Sequence, residues 1–213
     1  MQPKKYLQVI AILTGLITIS SCAASKQING TKTIVTIESD SVITDPQGNS
    51  YLMKRMPDNL LWMTNNLQLK IENSFCYNNR EENCKQYGRL YTWEAATQVC
   101  TMLGDGWRLP TKAEWQRLAE IYSPGLSDSV EIRKISYSSL LQGSSVGFNA
   151  LLGGGRRSSL EFARMQAHGF YWTATSIDST TACFENFAKG SQSLYHQPDG
   201  EKTAAFSVRC VKN

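Results

Sequence analysis

Histidine is nearly absent from this chain. Its 213 residues contain two, His168 and His196, in neither H-x-x-H nor H-x-x-x-H spacing. A mononuclear metal site therefore lacks its usual nitrogen ligands. A serine or cysteine triad likewise lacks a base beside a nucleophile motif. Charge of one sign is missing too: 22 basic residues face 18 acidic ones with no Lys/Arg block, which gives no footing for nucleic acid. No repeat of solenoid or propeller period occurs. No apolar run reaches the roughly 20 residues of a membrane-spanning helix. Gly153 to Arg157, "GGGRR", has neither the Lys-Ser/Thr nor the helix start of a phosphate loop, and reads as flexible glycine turns. These gaps point away from an enzyme and away from any metal or cofactor.

The one long apolar stretch lies at the start. Lys4 and Lys5 precede an apolar run from Tyr6 to Ile19, and small residues lead to Cys22. This is the layout of a secretory signal. Ile19-Ser20-Ser21-Cys22 resembles a bacterial lipobox, in which the cysteine is lipidated and becomes the first mature residue. Residues 1–21 are thus expected to be a signal peptide, Cys22 a lipid anchor to the membrane, and residues 22–40 a tether. Without Lys4 and Lys5 the balance is 20 basic against 18 acidic residues. "AASKQ" after Cys22 has no acidic run, which favours the periplasmic face of an outer membrane without deciding it.

Five further cysteines remain: Cys76, Cys84, Cys100, Cys183 and Cys210. Export permits disulfides, but two bridges among five cysteines allow fifteen arrangements, and spacing does not choose between them. Cys76 and Cys84 bracket "YNNREEN", a polar stretch suited to a short closed loop. Five tryptophans and 10% aromatic residues call for a packed core.

Local signals outline an α+β domain over residues 41–213. "SDSVITDPQGNSYLMKRM" predicts a hairpin about a Pro-Gly-Asn turn, and "NLLWMTNNL" a strand carrying Trp62. Trp93, Ala96, Cys100 and Leu103 fall on one face of a helix that Gly104 ends. Thr111 and Glu114 form a capping box ahead of a stripe of Trp115, Leu118, Ala119 and Tyr122. Beyond Pro124 helix signals weaken, and short strands return at "GFYWTAT", "TACFENFA", "SQSLYHQ" and "TAAFSVRCVKN". "QPDG" at 197–200 reads as a turn, because the second ligand triplet of calcium lectins does not follow it.

Taken in order, "DPQGNSY", "LLWMTNNL", "YGRLYTWEAA", "CTMLGDGWRLPTKAEWQRL", "GFNALLGGGRR", "YWTAT" and "SVRCVK" resemble the Fibrobacter succinogenes major paralogous domain. That family is a branch of the formylglycine-generating-enzyme-like and C-type-lectin-like folds. The resemblance implies two helices on a twisted, mostly antiparallel sheet with long loops, in secreted or lipid-anchored proteins. It also implies a bridge from the first helix to the last strand, here Cys100 with Cys210. That leaves Cys76 with Cys84 and Cys183 free, although Cys183 with Cys210 stays open. The enzymes of the wider fold hold copper with two closely spaced cysteines. Here Cys183 and Cys210 are far apart, so the chain is at most a degenerate relative of those oxidases. The expectation is a lipid-anchored, non-enzymatic envelope protein binding a protein or glycan, with a structural subunit of an envelope or adhesive assembly as the alternative. Its ligand surface is placed at Arg156, Arg157, Tyr195 and His196.

Overall fold

The computed structural model describes residues 41–124 and 129–213. The expected signal peptide, Cys22 and the tether therefore lie outside the described residues. In chain order the strands are β1 (Ser41–Thr44), β2 (Ser50–Arg55), β3 (Leu61–Met63), β4 (Ser74–Phe75), β5 (Leu90–Thr92), β6 (Gly155–Arg156), β7 (Phe162–Ala163), β8 (His168–Ser176), β9 (Thr181–Ala188), β10 (Ser193–Glu201), β11 (Ala205–Phe206) and β12 (Val211–Lys212). The helices are α1 (Glu81–Tyr87), α2 (Trp93–Val99), α3 (Lys112–Ile121) and α4 (Ser129–Leu140). Three sheets result, ordered β1-β2-β3-β12, β10-β9-β8 and β4-β5-β11-β6-β7, with every strand pairing antiparallel.

The hairpin forms where turn chemistry demands it. The buried Asp45 carboxylate accepts hydrogen bonds from the Gln47 and Asn49 amides and from the Tyr51 hydroxyl, an Asx-type closure. Gly48 supplies a φ of +86°. Thr111 likewise accepts from the Glu114 amide, while Glu114 reaches back to the Thr111 amide. Arg108 then grips both oxygens of Glu114, at 2.8 and 2.6 Å. Burial alone would raise the Glu114 carboxyl, but Arg108 and Thr111 hold it below its ordinary value.

Two helices were expected, and among the described residues there are four. α1 begins within "YNNREEN", so the loop that Cys76 and Cys84 close is partly helical. The only buried residue of α1 is Cys84, so it carries no apolar stripe to be read. α4 buries Ser136, Tyr137 and Leu140. Its contact with α3 is partly polar, since the Ser136 hydroxyl donates to the Ala119 carbonyl.

Two large cores flank the C-terminal segment. One gathers Tyr51, Met63, Tyr91, Ala96, Val99, Leu109 and Trp172. The other is an aromatic cluster in which Trp115 meets Trp62 edge-on at 5.0 Å and Phe148 at 5.4 Å. "TAAFSVRCVKN" was expected as one short strand, and alternation along "FSVRCV" puts Phe206, Val208 and Cys210 on one face. Those three do enter the first core. The run is nevertheless two short strands in different sheets, and its other face is buried as well, with Ser207 and Arg209 fully enclosed.

The bridges join Cys76 to Cys84 and Cys100 to Cys210, and Cys183 is free and buried. Burial pushes the Cys183 thiol up. The glycines of "GGGRR" are not flexible turns. Gly154 has a φ of +66°, and a Cβ there would come within 2.6 Å of two backbone atoms. Glycine is needed for close packing at this point.

Candidate binding groove

β6, β8, β9 and β11 converge on an aromatic floor of Phe170, Phe184 and Phe206, whose ring centroids lie 4.9–5.9 Å apart. Two glycines let backbone lie against these rings. A Cβ at Gly155 would sit 2.9 Å from Phe206, and one at Gly200 only 2.7 Å from both Phe184 and Trp172. "QPDG" is consequently not the turn expected of it. β10 runs through it, and the register against β9 shifts between Gln197 and Gly200. Such a bulge re-aims side chains, and here it sets Asp199 and Glu201 on the groove's rim.

The groove encloses about 390 Å³. Arg156, Arg157 and Arg164 line it together with the two carboxylates. Arg156 and Glu201 also line a neighbouring hollow of about 830 Å³ that reaches Phe75, Leu160 and Lys202. The Arg156 guanidinium lies 4.2 Å over the Phe75 ring and Lys202 Nζ lies 4.2 Å over Trp93, so both cations are held by aromatic faces. Arg157 makes an exposed pair with Glu161 at 3.9 Å. Leu160 stands 62% exposed at a φ of +72°.

Of the four residues expected at the ligand surface, the structure brings Arg156 and Arg157 together here. Tyr195 and His196 line neither hollow. Arg133 of α4 lies 5.4 Å over the Tyr195 ring, and His196 faces Glu185 from the next strand. The aromatic floor was missed because its rings come from three different strands, on each of which a phenylalanine reads as an ordinary strand residue. The acidic rim was missed because Pro-Asp-Gly imitates a turn.

His196 and Glu185 form a buried pair of a different kind. Nδ1 of His196 lies 2.6 Å from Oε2 of Glu185, whose side chain is fully enclosed. The approach is close but off line, leaving neither group an aligned hydrogen bond. Burial pushes the Glu185 carboxyl above its ordinary value of 4.5, against the opposing pull of His196 and Lys112. The folded chain thus keeps a proton that the unfolded chain has lost. This contribution to stability is complete below that ordinary value and is lost as the pH rises through the folded one. Glu185→Gln should therefore flatten the decline in stability from acid toward neutral pH, measured by urea unfolding at several pH values. Equal slopes in variant and parent would show that Glu185 does not carry the effect.

One cluster among the described residues has metal-ligand chemistry: Cys76, Glu81 and Cys84. Its sulfurs are bonded to each other, and the Arg89 guanidinium donates to Cys76 Sγ at 3.2 Å. A cation already occupies the place a metal would need.

A family model described as the Fibrobacter succinogenes major domain matches residues 57–212. Comparison with curated proteins and with solved structures gave no match.

Proposed function

The chain belongs to the Fibrobacter succinogenes major domain family, and from that premise we propose a lipid-anchored, non-enzymatic protein of the cell envelope whose groove holds an extended segment of another protein. The observation that carries this reading is the groove itself: an aromatic floor with three guanidinium groups and two carboxylates in its lining. Phenylalanine rings have no polar handle, so the floor suits apolar side chains. The rim, three guanidiniums against two carboxylates, suits a segment carrying acidic residues beside them. Neither histidine nor cysteine lines the groove, so the familiar Ser–His and Cys–His pairings have no partner there; the non-enzymatic reading rests on that lining and on the sequence.

The membrane anchor is part of the same proposal and rests on the charged start and lipobox-like Ile19-Ser20-Ser21-Cys22. One acyl chain anchors only marginally, so stable attachment takes the several chains of a bacterial lipoprotein. The outer membrane is the site proposed, with the periplasmic and surface faces both open. Kinship with C-type-lectin-like domains also belongs here, and the Cys100–Cys210 bridge from α2's end to the last segment supports it.

The test has two arms. Cys22→Ala should move the full chain from the membrane fraction to the soluble one; an unlipidated Cys22 in the intact mass would end the anchor proposal. Selection of random peptides on the purified domain should enrich apolar residues flanked by acidic ones. Binding should weaken with salt and fall at least tenfold in Arg157→Glu/Arg164→Glu. Selection without that enrichment, or binding untouched by the charge reversal, would overturn the groove assignment.

A further inference from the structure

A second hollow lies away from the groove, where the end of α1, the segment following β3 and the loop following α4 meet. It encloses about 380 Å³ and is lined by Asn65, Gln86, Tyr87, Gln142, Asn149 and Leu151, together with Thr64. No charged side chain is among them. An outer extension sharing Tyr87, Gln142 and Leu151 adds about 340 Å³ and brings in Gln166 and Lys189. The inner volume falls within the roughly 300–1,000 Å³ of small-molecule sites.

The walls are fixed from behind. The Asn66 side-chain amide donates to the Tyr87 carbonyl at 2.8 Å and its oxygen accepts from Arg209 Nε at 3.0 Å. Arg209 also donates to the carbonyls of Phe148 and Asn149, tying the opposite wall to the same guanidinium. Gly88 lets the end of α1 approach this seam, since a Cβ there would lie 2.5 Å from Asn66 Cβ. The Gln142 amide donates to the Ala150 carbonyl and the Ala150 amide to Leu140, closing the loop. Among the described residues, the Gln86 and Gln142 side chains make no hydrogen bond of their own.

The lining selects a ligand class. An ion entering this hollow would lose hydration without meeting a counter-charge. An apolar group covering these amides would strip their water and return no hydrogen bond in its place. Carboxamides offer both donors and acceptors, which matches hydroxyl groups that also do both. The Tyr87 ring and Leu151 give one apolar wall for a ring's C–H face. We propose that this cleft binds a neutral, polyhydroxylated ligand, namely one pyranose ring of a free sugar or of a glycan.

The test follows the side-chain amide resonances of Gln86, Gln142 and Asn65 in the isotope-labelled domain. The probes are glucose, galactose, mannose and N-acetylglucosamine, followed by maltose and lactose. At least one neutral sugar should shift these signals saturably. A tighter disaccharide assigns the source to a glycan, and equal affinity assigns it to free sugar. Gln86→Leu/Gln142→Leu should weaken binding at least tenfold while melting where the parent does, because both side chains are exposed. Arg157→Glu/Arg164→Glu should bind sugar unchanged, so failure of the groove reading and failure of this one are separable. The proposal is overturned if no neutral sugar shifts the amides at concentrations on the order of 10 mM, where even millimolar affinity would register. Equal binding of glucuronate, or binding of an Asn/Gln-rich peptide in place of every sugar, would overturn it as well.

Discussion

Replacing Cys100 or Cys210 with alanine is expected to lower stability by about 4–5 kcal/mol, the chain-entropy value for a loop of this size. The bridge closes 110 residues, so its loss frees more than half of the chain in the unfolded state. Both cysteines are fully buried in the first core, where alanine also leaves a small void. Because the two substitutions remove the same constraint, the double variant should be little worse than either single one. Cys183→Ala removes only a buried thiol and should cost about 1 kcal/mol. Denaturant unfolding of the oxidised proteins would measure all four. A Cys183–Cys210 peptide in a non-reducing digest would overturn the assignment, and so would additive losses in the double variant.

The second large effect is expected at Arg209. This side chain is fully buried, and no carboxylate is among its contacts within the described residues. Its charge is balanced by three oxygens, those of Asn66, Phe148 and Asn149, and by the faces of Phe148 at 4.5 Å and Tyr171 at 5.6 Å. Burial pushes its guanidinium down from the ordinary value. Hydrogen bonds to charged groups contribute about 1.5–3 kcal/mol each, and removing the ion relieves some of its desolvation cost. Arg209→Ala should therefore destabilise by roughly 3–5 kcal/mol, leaving two backbone carbonyls unpaired in the core. Arg209→Lys should recover less than half of that loss, because one ammonium lacks the planar fork that reaches three separate acceptors. A full rescue by lysine in thermal unfolding would show that charge alone, rather than the fork, holds these walls together.

Arg209 also marks the limit of what could be read from the sequence. Alternation in "FSVRCV" correctly sends Phe206, Val208 and Cys210 inward, but it assigns the opposite face to solvent. That rule assumes a sheet with one wet side, whereas this segment runs between two cores. Local chemistry was the legible part. The Asp45 turn, the Thr111–Glu114 cap and the stripe from Trp115 to Ala119 are each completed within a few residues. α4 escaped because its buried face is Ser136, Tyr137 and Leu140, and a serine in the interface looks like a surface residue until its partner carbonyl is known. The groove escaped for a related reason. Arg156 and Arg157 are conspicuous as a pair, while Phe170, Phe184 and Phe206 look like ordinary strand interiors. Only the bulge at Gly200 brings Asp199 and Glu201 to the same rim. The amide-lined cleft left no trace in the sequence at all, since Asn and Gln in loops are unremarkable until three segments place them face to face.

The seam from Ala205 to Lys212 has a consequence for how the chain comes to fold. β11 is the middle strand of the five-stranded sheet and β12 an edge of the four-stranded one, while Ser207 bridges to Tyr171 of β8. A nascent chain ending at residue 204 would have a five-stranded sheet split in two and a Cys100 with no proper partner. Contacts between residues so distant in sequence form only after long loops close, which makes them slow. Completion of both sheets therefore waits for the segment from Ala205 to Lys212. In the exported protein proposed above, Cys100 would meet Cys76, Cys84 and Cys183 before Cys210 is in place. A Cys100 captured by one of them would reach the native bridge to Cys210 by thiol–disulfide exchange.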